Sequence, residues 1–402
     1  MISFAHRKIE KDARVLLGIH ALSSIIRIFS RVFLTIYFLK ATQWNIGMIA
    51  IFYIIQFFTQ TIVFYRLGNQ VKCKNRMIPF RLSIIFYFTF LLLIIFLKDK
   101  VSIYIPYLAV LYGIAAGFYW LPYNVLLFDL NPSASRSLYF SYEKIMIDIL
   151  SVIVPFFAGT IIDRFNSYDI IMVTVLIFMG LSFISSFAIS IHVEGSNTSF
   201  SIKNFLSSLK TNSNTNVYTA YKGEFLRGLS YFAGALDIVV VVIIYMVFST
   251  EFALGALTSL FTTIAILTSL FVGKFLNDKY FKLSIIISSI VLCLGTILLV
   301  FNVSNYSIIT YNIVFSIAVS IMSILQSVYS YKVIDTDGLQ EYRIEHIVVR
   351  EAILNFARII SFLFLLIITK FGNNFNSLRI VLIILSLSIL LISFNIRKFK
   401  VE

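Results

Sequence analysis

Cysteine is nearly missing from this 402-residue chain: it occurs twice, at Cys73 in a short basic stretch and at Cys293 inside an apolar run. Histidine occurs four times. Numbers this small exclude a disulfide framework and leave no redox pair or histidine–cysteine metal cluster. No Gly-rich phosphate loop of the form G-x-x-x-x-G-K-[ST] is present, and the polar intervals are too short for an appended nucleotide-binding domain. No nucleophile–base pair stands out either, so the chain reads as a non-enzyme without a cofactor. Charge is scarce too. Only 13% of residues are Asp, Glu, Lys or Arg, about half of what a soluble domain carries.

What is abundant is apolar. Hydrophobic residues make up 59% of the chain, with 41 Phe and 22 Tyr, and the mean hydropathy is +0.92. Uncharged apolar stretches recur along the whole length, which describes an all-α, multi-pass membrane protein. The net charge of +14 does not indicate nucleic acid, because the basic residues lie between apolar runs rather than in one stripe. The polar, basic start (His6, Arg7, Lys8, Lys11, Arg14) lacks a cleavage pattern, so the first apolar segment is expected to remain as a spanning helix.

A bilayer core about 30 Å thick needs roughly 20 helical residues. Windows of that length predict spans at 15–39, 45–66, 78–97, 103–128, 138–162 and 168–191, then at 223–249, 253–276, 282–301, 306–331, 347–369 and 377–395. Residues 1–192 therefore form a six-helix bundle and 222–402 a second one. Residues 193–221, rich in Ser, Thr and Asn, form a cytoplasmic linker with a short interfacial helix near Ile202 to Leu209. With both termini inside, 24 basic residues fall on the cytoplasmic side and six outside, and Arg27, Arg31 and Arg358 remain within spans. That asymmetry places the chain in the cell membrane with both ends cytoplasmic.

Two six-helix halves joined by a cytoplasmic linker resemble the major facilitator superfamily over essentially the whole chain. The family's loop after span two is matched by Gly68 to Arg76, GNQVKCKNR, without its acid. The equivalent loop after span eight, GKFLNDKYFK from Gly273, supplies Asp278 and Lys279 as the acid–base pair. The resemblance implies that these loops latch neighbouring helices at the cytoplasmic surface. An internal echo relates Asp129, Arg136 and Glu143 to Asp335, Arg343 and Glu351. Pro155 and Gly159 are similar to a degenerate form of the motif in the family's proton antiporters.

Counting from Val15, Arg27 lies about 18 Å and Arg31 about 24 Å along span one. Their spacing puts both guanidinium groups on one helix face, which must turn to a lumen or a partner helix because charge exposed to lipid is costly. Arg358 lies at similar depth in span eleven, and Asp148 and Asp237 are the deep acids. Arginine holds carboxylate or phosphate through paired hydrogen bonds. Arg27, Arg31 and Arg358, with Tyr119, Trp120, Tyr123 and Asn124 of span four, are thus the candidate substrate contacts. The arginines and acids could instead neutralise one another.

Asp148 and Asp237 are the candidate proton carriers. Arg350, Glu351 and Asn355, with Asp278 and Lys279, are the candidate gating groups. Gln56 and Gln60 form a same-face pair beside the path, and His20 reads as an interfacial hydrogen-bonding residue. In spans one, four, seven and ten the resemblance implies cavity-lining positions. The whole is expected to be a proton-coupled secondary transporter of a small organic or amphipathic solute, with an anion preferred, working as a monomer among membrane lipids. Efflux of hydrophobic drugs and a non-transporting receptor are the alternatives.

Overall fold

A computed structural model describes residues 9–130, 133–189, 198–211, 215–231, 233–275, 280–302, 304–334, 340–372 and 375–397. Asp278, Lys279 and Asp335 lie outside the described residues, as does the whole stretch 190–197. The described residues are helical almost throughout. The chain starts with α1 (Lys11–Phe29), which passes through a π-helical turn (Ser30–Leu34) into α2 (Thr35–Ala41). A tight turn with Gln43 and Trp44 at positive φ follows, and the Asn45 side chain accepts from Met48 N to cap α3 (Ile46–Cys73). Next come α4 (Met77–Leu97), α5 (Val101–Leu130), α6 (Ser133–Phe165) and α7 (Asp169–Ser185).

The linker forms the short helix α8 (Ile202–Thr211), close to the interfacial helix expected at Ile202 to Leu209. Then α9 (Thr215–Leu229), α10 (Ala235–Phe248), α11 (Glu251–Phe275), α12 (Phe281–Phe301), α13 (Asn305–Ile334), α14 (Arg343–Thr369) and α15 (Phe375–Arg397) complete the chain. Ten helical stretches among the described residues are long and apolar enough to cross a membrane. One of them, Met77–Leu130, is the pair α4 and α5, which fold back on each other through the turn at Lys98–Lys100. Large apolar side chains such as Phe96, Tyr107, Phe271 and Leu298 point outward. In water such a surface would aggregate, and in a bilayer it is solvated by acyl chains. The protein is a multi-pass membrane protein.

One sequence expectation is corrected. The continuous span at 223–249 is two helices, α9 and α10, separated at residues 230–234. α10 alone is about 21 Å long, too short to cross a bilayer core of about 30 Å. The break has a steric cause: Ala233 takes φ 55°, and a Cβ on Gly234 would meet Gly228 O at 2.7 Å, so the chain folds tightly onto the end of α9.

Glycine also decides which helices touch. On α5, a Cβ at Gly113 would meet Gln56 O at 2.6 Å, and one at Gly117 would meet Val63 Cγ1 at 2.5 Å, so α3 and α5 pack backbone to backbone. Gly159 of α6 and Gly255 of α11 face each other, with a Cβ at Gly255 only 2.2 Å from Pro155 O. The contact between α6 and α11 is therefore made at these levels, whereas Lys144, Asp148, Ala265 and Ser269 of the same two helices line a cavity.

Opposite effects of one substitution test this packing. Gly180→Ala, with nothing within 4 Å of the added methyl, should raise thermal stability in detergent by up to about 1 kcal/mol of helix propensity. Gly255→Ala should lower it by about 1–3 kcal/mol through overpacking. Equal shifts in melting temperature would contradict the close approach.

Candidate functional site

A cavity of about 800 Å³ lies inside the bundle, with walls from α1 to α6, α9 to α11, α13 and α14. Its volume is that of a site for a small organic molecule. Among the described residues, six cationic side chains line it (Arg27, Arg31, Lys144, Arg227, Arg350, Arg358) against five carboxylates (Glu143, Asp148, Glu224, Asp237, Glu351). In an apolar shell these charges must be compensated by one another, by water or by a bound solute.

The break between α9 and α10 builds one pole. Asp237, in the first turn of α10, accepts from Ala233 N at 3.0 Å and holds Arg31 Nη2 at 2.9 Å. Ala235 N donates to Ser361 Oγ at 3.0 Å, tying the same helix start to α14. A carboxylate at a helix N-terminus is favourable in itself, because it meets unpaired N–H groups and the positive end of the helix dipole. Asp237 is nearly buried, with 3% of its side chain exposed, whereas 57% of Arg31 faces the cavity. The π-helical turn begins between the two arginines, at Ser30, and they take different partners.

Arg27 has a different setting. It donates through Nη2 to Ser24 Oγ and lies over Tyr119 at 4.4 Å and Trp120 at 5.0 Å. Behind it, His20 is stacked on Tyr123 at 4.1 Å, with Nδ1 2.8 Å from Tyr119 Oη and Nε2 3.4 Å from Glu143 Oε1. Tyr123 Oη donates to the same Glu143 oxygen at 2.7 Å.

The remaining charges sit in local pairs. Lys144 binds Asp148 at 2.9 Å, Arg227 binds Glu224 at 2.8 Å, and Arg350 binds Glu351 at 2.6 Å. Arg358 donates to Asn355 Oδ1 at 2.7 Å and lies over Phe57, while Asn355 Nδ2 donates to Thr61 Oγ1 at 3.2 Å, which links α14 to α3.

Pairs also close both ends of the bundle. At one end Lys40 pairs with Glu251, which further accepts from Tyr168 at 2.9 Å and Tyr245 at 3.2 Å. At the other, Lys72 binds Glu345 at 2.7 Å with both side chains almost fully buried, and Ser201 N of the linker donates to the same carboxylate at 3.0 Å. Arg76 pairs there with Asp129 of α5. The acid absent from the stretch Gly68 to Arg76 is thus supplied from elsewhere in the chain, by Asp129 for Arg76 and by Glu345 for Lys72.

Of the residues read as substrate contacts, Arg27, Arg31, Trp120, Tyr123, Asn124 and Arg358 lie on the cavity wall. Tyr119 is fully buried behind Arg27 and supports it rather than facing the cavity. Asp148, Asp237, Arg350 and Glu351 are on the wall, and Asn355 sits just behind it on Arg358. Asp278 and Lys279 lie outside the described residues. His20, read as a hydrogen-bonding residue, is buried with 3% exposed and lies 2.8 Å from Tyr119 Oη. Sequence reading missed Ser30, Tyr87 and Glu143 as wall residues. Only Glu143, as an acid in a largely apolar helix, carried a detectable signal. One Tyr among 22 and one Ser in an apolar run carry none.

The structure therefore defines a membrane-embedded helical bundle around a charged, solute-sized cavity. No family model matches the chain. It is 26% identical over 365 residues to an uncharacterized protein, YqgE, of Bacillus subtilis, covering 90% of this chain and 83% of that one. It is 25% identical over 159 residues to an uncharacterized protein in the sodM 3' region of Geobacillus stearothermophilus, covering 40% of this chain and 74% of that one. In three dimensions it is similar to the crystal structure of the nucleoside transporter NupG, with a TM-score of 0.71, 12% sequence identity, and 97% of this chain and 100% of that chain covered. This likeness is one of fold.

Two substitutions separate the roles of Asp237. Asp237→Asn keeps an acceptor for Ala233 N but loses the charge opposite Arg31, and Asp237→Ala loses both. The alanine variant should be less stable than the asparagine variant by about 0.5–2 kcal/mol, the usual value of a helix cap, measured by thermal unfolding in detergent. Identical melting temperatures would contradict the capping role.

Proposed function

We propose that the chain is a secondary active transporter of twelve spans in two halves, 1–192 and 222–402 joined by the linker 193–221, and that it moves a small organic solute by alternating access. The observation that carries this reading is the charged cavity lined by helices of both proposed halves, with an ion pair joining them toward each end of the bundle: Lys40–Glu251 at one end and Lys72–Glu345 at the other. A rocking motion that opens one end must break one pair and keep the other. With both termini cytoplasmic, Lys40–Glu251 is the outer closure, and Lys72–Glu345 with Arg76–Asp129 the inner one. Half-exposed Lys40 gives up less on separation than buried Lys72, because breaking a buried pair leaves an uncompensated charge.

The break between α9 and α10 at the cavity supports the same reading. Discontinuous helices at the midplane present N–H groups and a positive dipole end to a solute without exposing backbone to lipid. Proton coupling is assigned to Asp237 and Asp148. Protonating either carboxylate removes the charge that holds Arg31 or Lys144, so proton occupancy and cation position are linked.

Cysteines introduced by Lys40→Cys and Glu251→Cys, with Cys73 and Cys293 replaced by Ser, test this arrangement. Proteoliposomes would be screened with pooled organic anions, lipophilic cations and nucleosides, with and without an imposed proton gradient. Wild type should move at least one pool, cross-linking the cysteine pair should stop that movement, and reductant should restore it. Failure of every pool to move, or full transport by the cross-linked protein, would overturn the reading.

A further inference from the structure

Among the described residues, several polar atoms on the cavity wall lack a close hydrogen-bond partner. Nη1 of Arg27, the hydroxyls of Ser30 and Tyr87 and Oε1 of Gln56 are buried without a hydrogen-bond partner, and all four side chains line the cavity. Ser30 and Gln56 are each 6% exposed and Tyr87 is 1% exposed. Buried groups of this kind are normally paired, so a cluster of them on one wall marks where a ligand's polar atoms belong. Arg27 also has no carboxylate within 4 Å among the described residues, whereas Arg31, Lys144, Arg227 and Arg350 each hold one. Its guanidinium is fixed by Ser24 and by the rings of Tyr119 and Trp120, which set its direction without neutralising it.

The donors and acceptors define a complement. Arg27 donates only, the two hydroxyls can donate, and Gln56 Oε1 accepts. Three donors around a cation suit an oxyanion, and the adjacent acceptor suits an O–H or N–H beside it. Among the described residues the wall carries six cationic and five acidic side chains, an excess that one negative charge offsets. Trp120 and Tyr112 provide flat apolar faces next to these atoms.

We propose that this wall is the head-group subsite of the cavity and selects a monocarboxylate that carries a hydroxyl or amino donor next to the carboxylate and a flat or apolar body. The carboxylate sits against Arg27, Ser30 and Tyr87, its neighbouring donor bonds to Gln56 Oε1, and its body lies on Trp120. The assignment rests on the cavity being the transport site, and it adds the chemical class of the solute.

Equilibrium binding to the purified full chain in nanodiscs, read by quenching of tryptophan emission and by calorimetry, tests it. The probes are 3-phenyllactate, 3-phenylpropionate, which lacks the hydroxyl, the neutral phenyllactamide, phenyl phosphate and uridine. Phenyllactate should bind best. Arg27→Gln should weaken it by about 10- to 100-fold, the size of a lost charge-assisted hydrogen bond. Gln56→Leu should weaken phenyllactate several-fold while leaving phenylpropionate unchanged, a ratio within one variant that a general loss of folding cannot produce.

The inference is overturned if phenyllactamide, phenyl phosphate or uridine binds as well as phenyllactate, if Arg27→Gln binds it like wild type, or if phenyllactate does not bind. Movement of some other solute in proteoliposomes without carboxylate binding would sink this subsite and leave the transport reading standing. Carboxylate binding as described, without transport of any pool, would do the reverse.

Discussion

Asp237 and Arg31, 2.9 Å apart inside an apolar bundle, show the constraint on which the interior of this protein depends. A charge surrounded by hydrocarbon cannot rely on bulk water, so each one must be met by another side chain, a helix end, cavity water or a solute. Asp237 satisfies that requirement twice, with Arg31 from α1 and with Ala233 N at the start of α10. It can do so only because the chain is broken at 230–234, where a continuous helix would leave no free N–H. The break, the deep arginine and the cavity between them are one solution to one electrostatic problem.

The same constraint organises the two ends of the bundle. Lys72–Glu345 and Lys40–Glu251 join distant parts of the chain, and between them a few polar contacts such as Arg31–Asp237 and Asn355–Thr61 cross the apolar helices. Lipid-facing helices slide against one another with little change in hydrophobic free energy, since acyl chains and Leu side chains are alike. Glycine contacts such as Gly255 against Pro155 and a few ion pairs therefore decide which relative positions are favoured. A bundle built this way can hold more than one arrangement when a pair is exchanged.

Inside the cavity the wall is uneven, and the unevenness carries the chemistry. Lys144, Arg227 and Arg350 spend their charge on carboxylates within four residues of themselves. Arg27 spends its own on aromatic faces, which orient a cation while leaving its outer N–H groups available. His20, Glu143, Tyr119 and Tyr123 form the layer behind it. That layer fixes Arg27 by packing, which is how a binding group is held in place before its ligand arrives.

Much of the architecture was legible before any coordinates. The spacing and length of the apolar runs located the helices, because a bilayer of fixed thickness leaves the backbone no other way to satisfy its hydrogen bonds. The depth of Arg27, Arg31, Asp148, Asp237 and Arg358 was legible for the same reason: one residue advances a fixed distance along a helix. Pairing was not. That Arg31 takes Asp237 and Lys72 takes Glu345 depends on contacts between segments hundreds of residues apart, and spacing along one helix says nothing about its neighbours. The break at 230–234 was hidden because its residues are as apolar or small as those of an unbroken span, and Tyr87 was hidden among 22 tyrosines. The sequence determined that this protein crosses a membrane repeatedly and buries charge within it. Only the tertiary structure decided which charges cancel and which wall remains unpaired, because that balance is set by distances across the bundle.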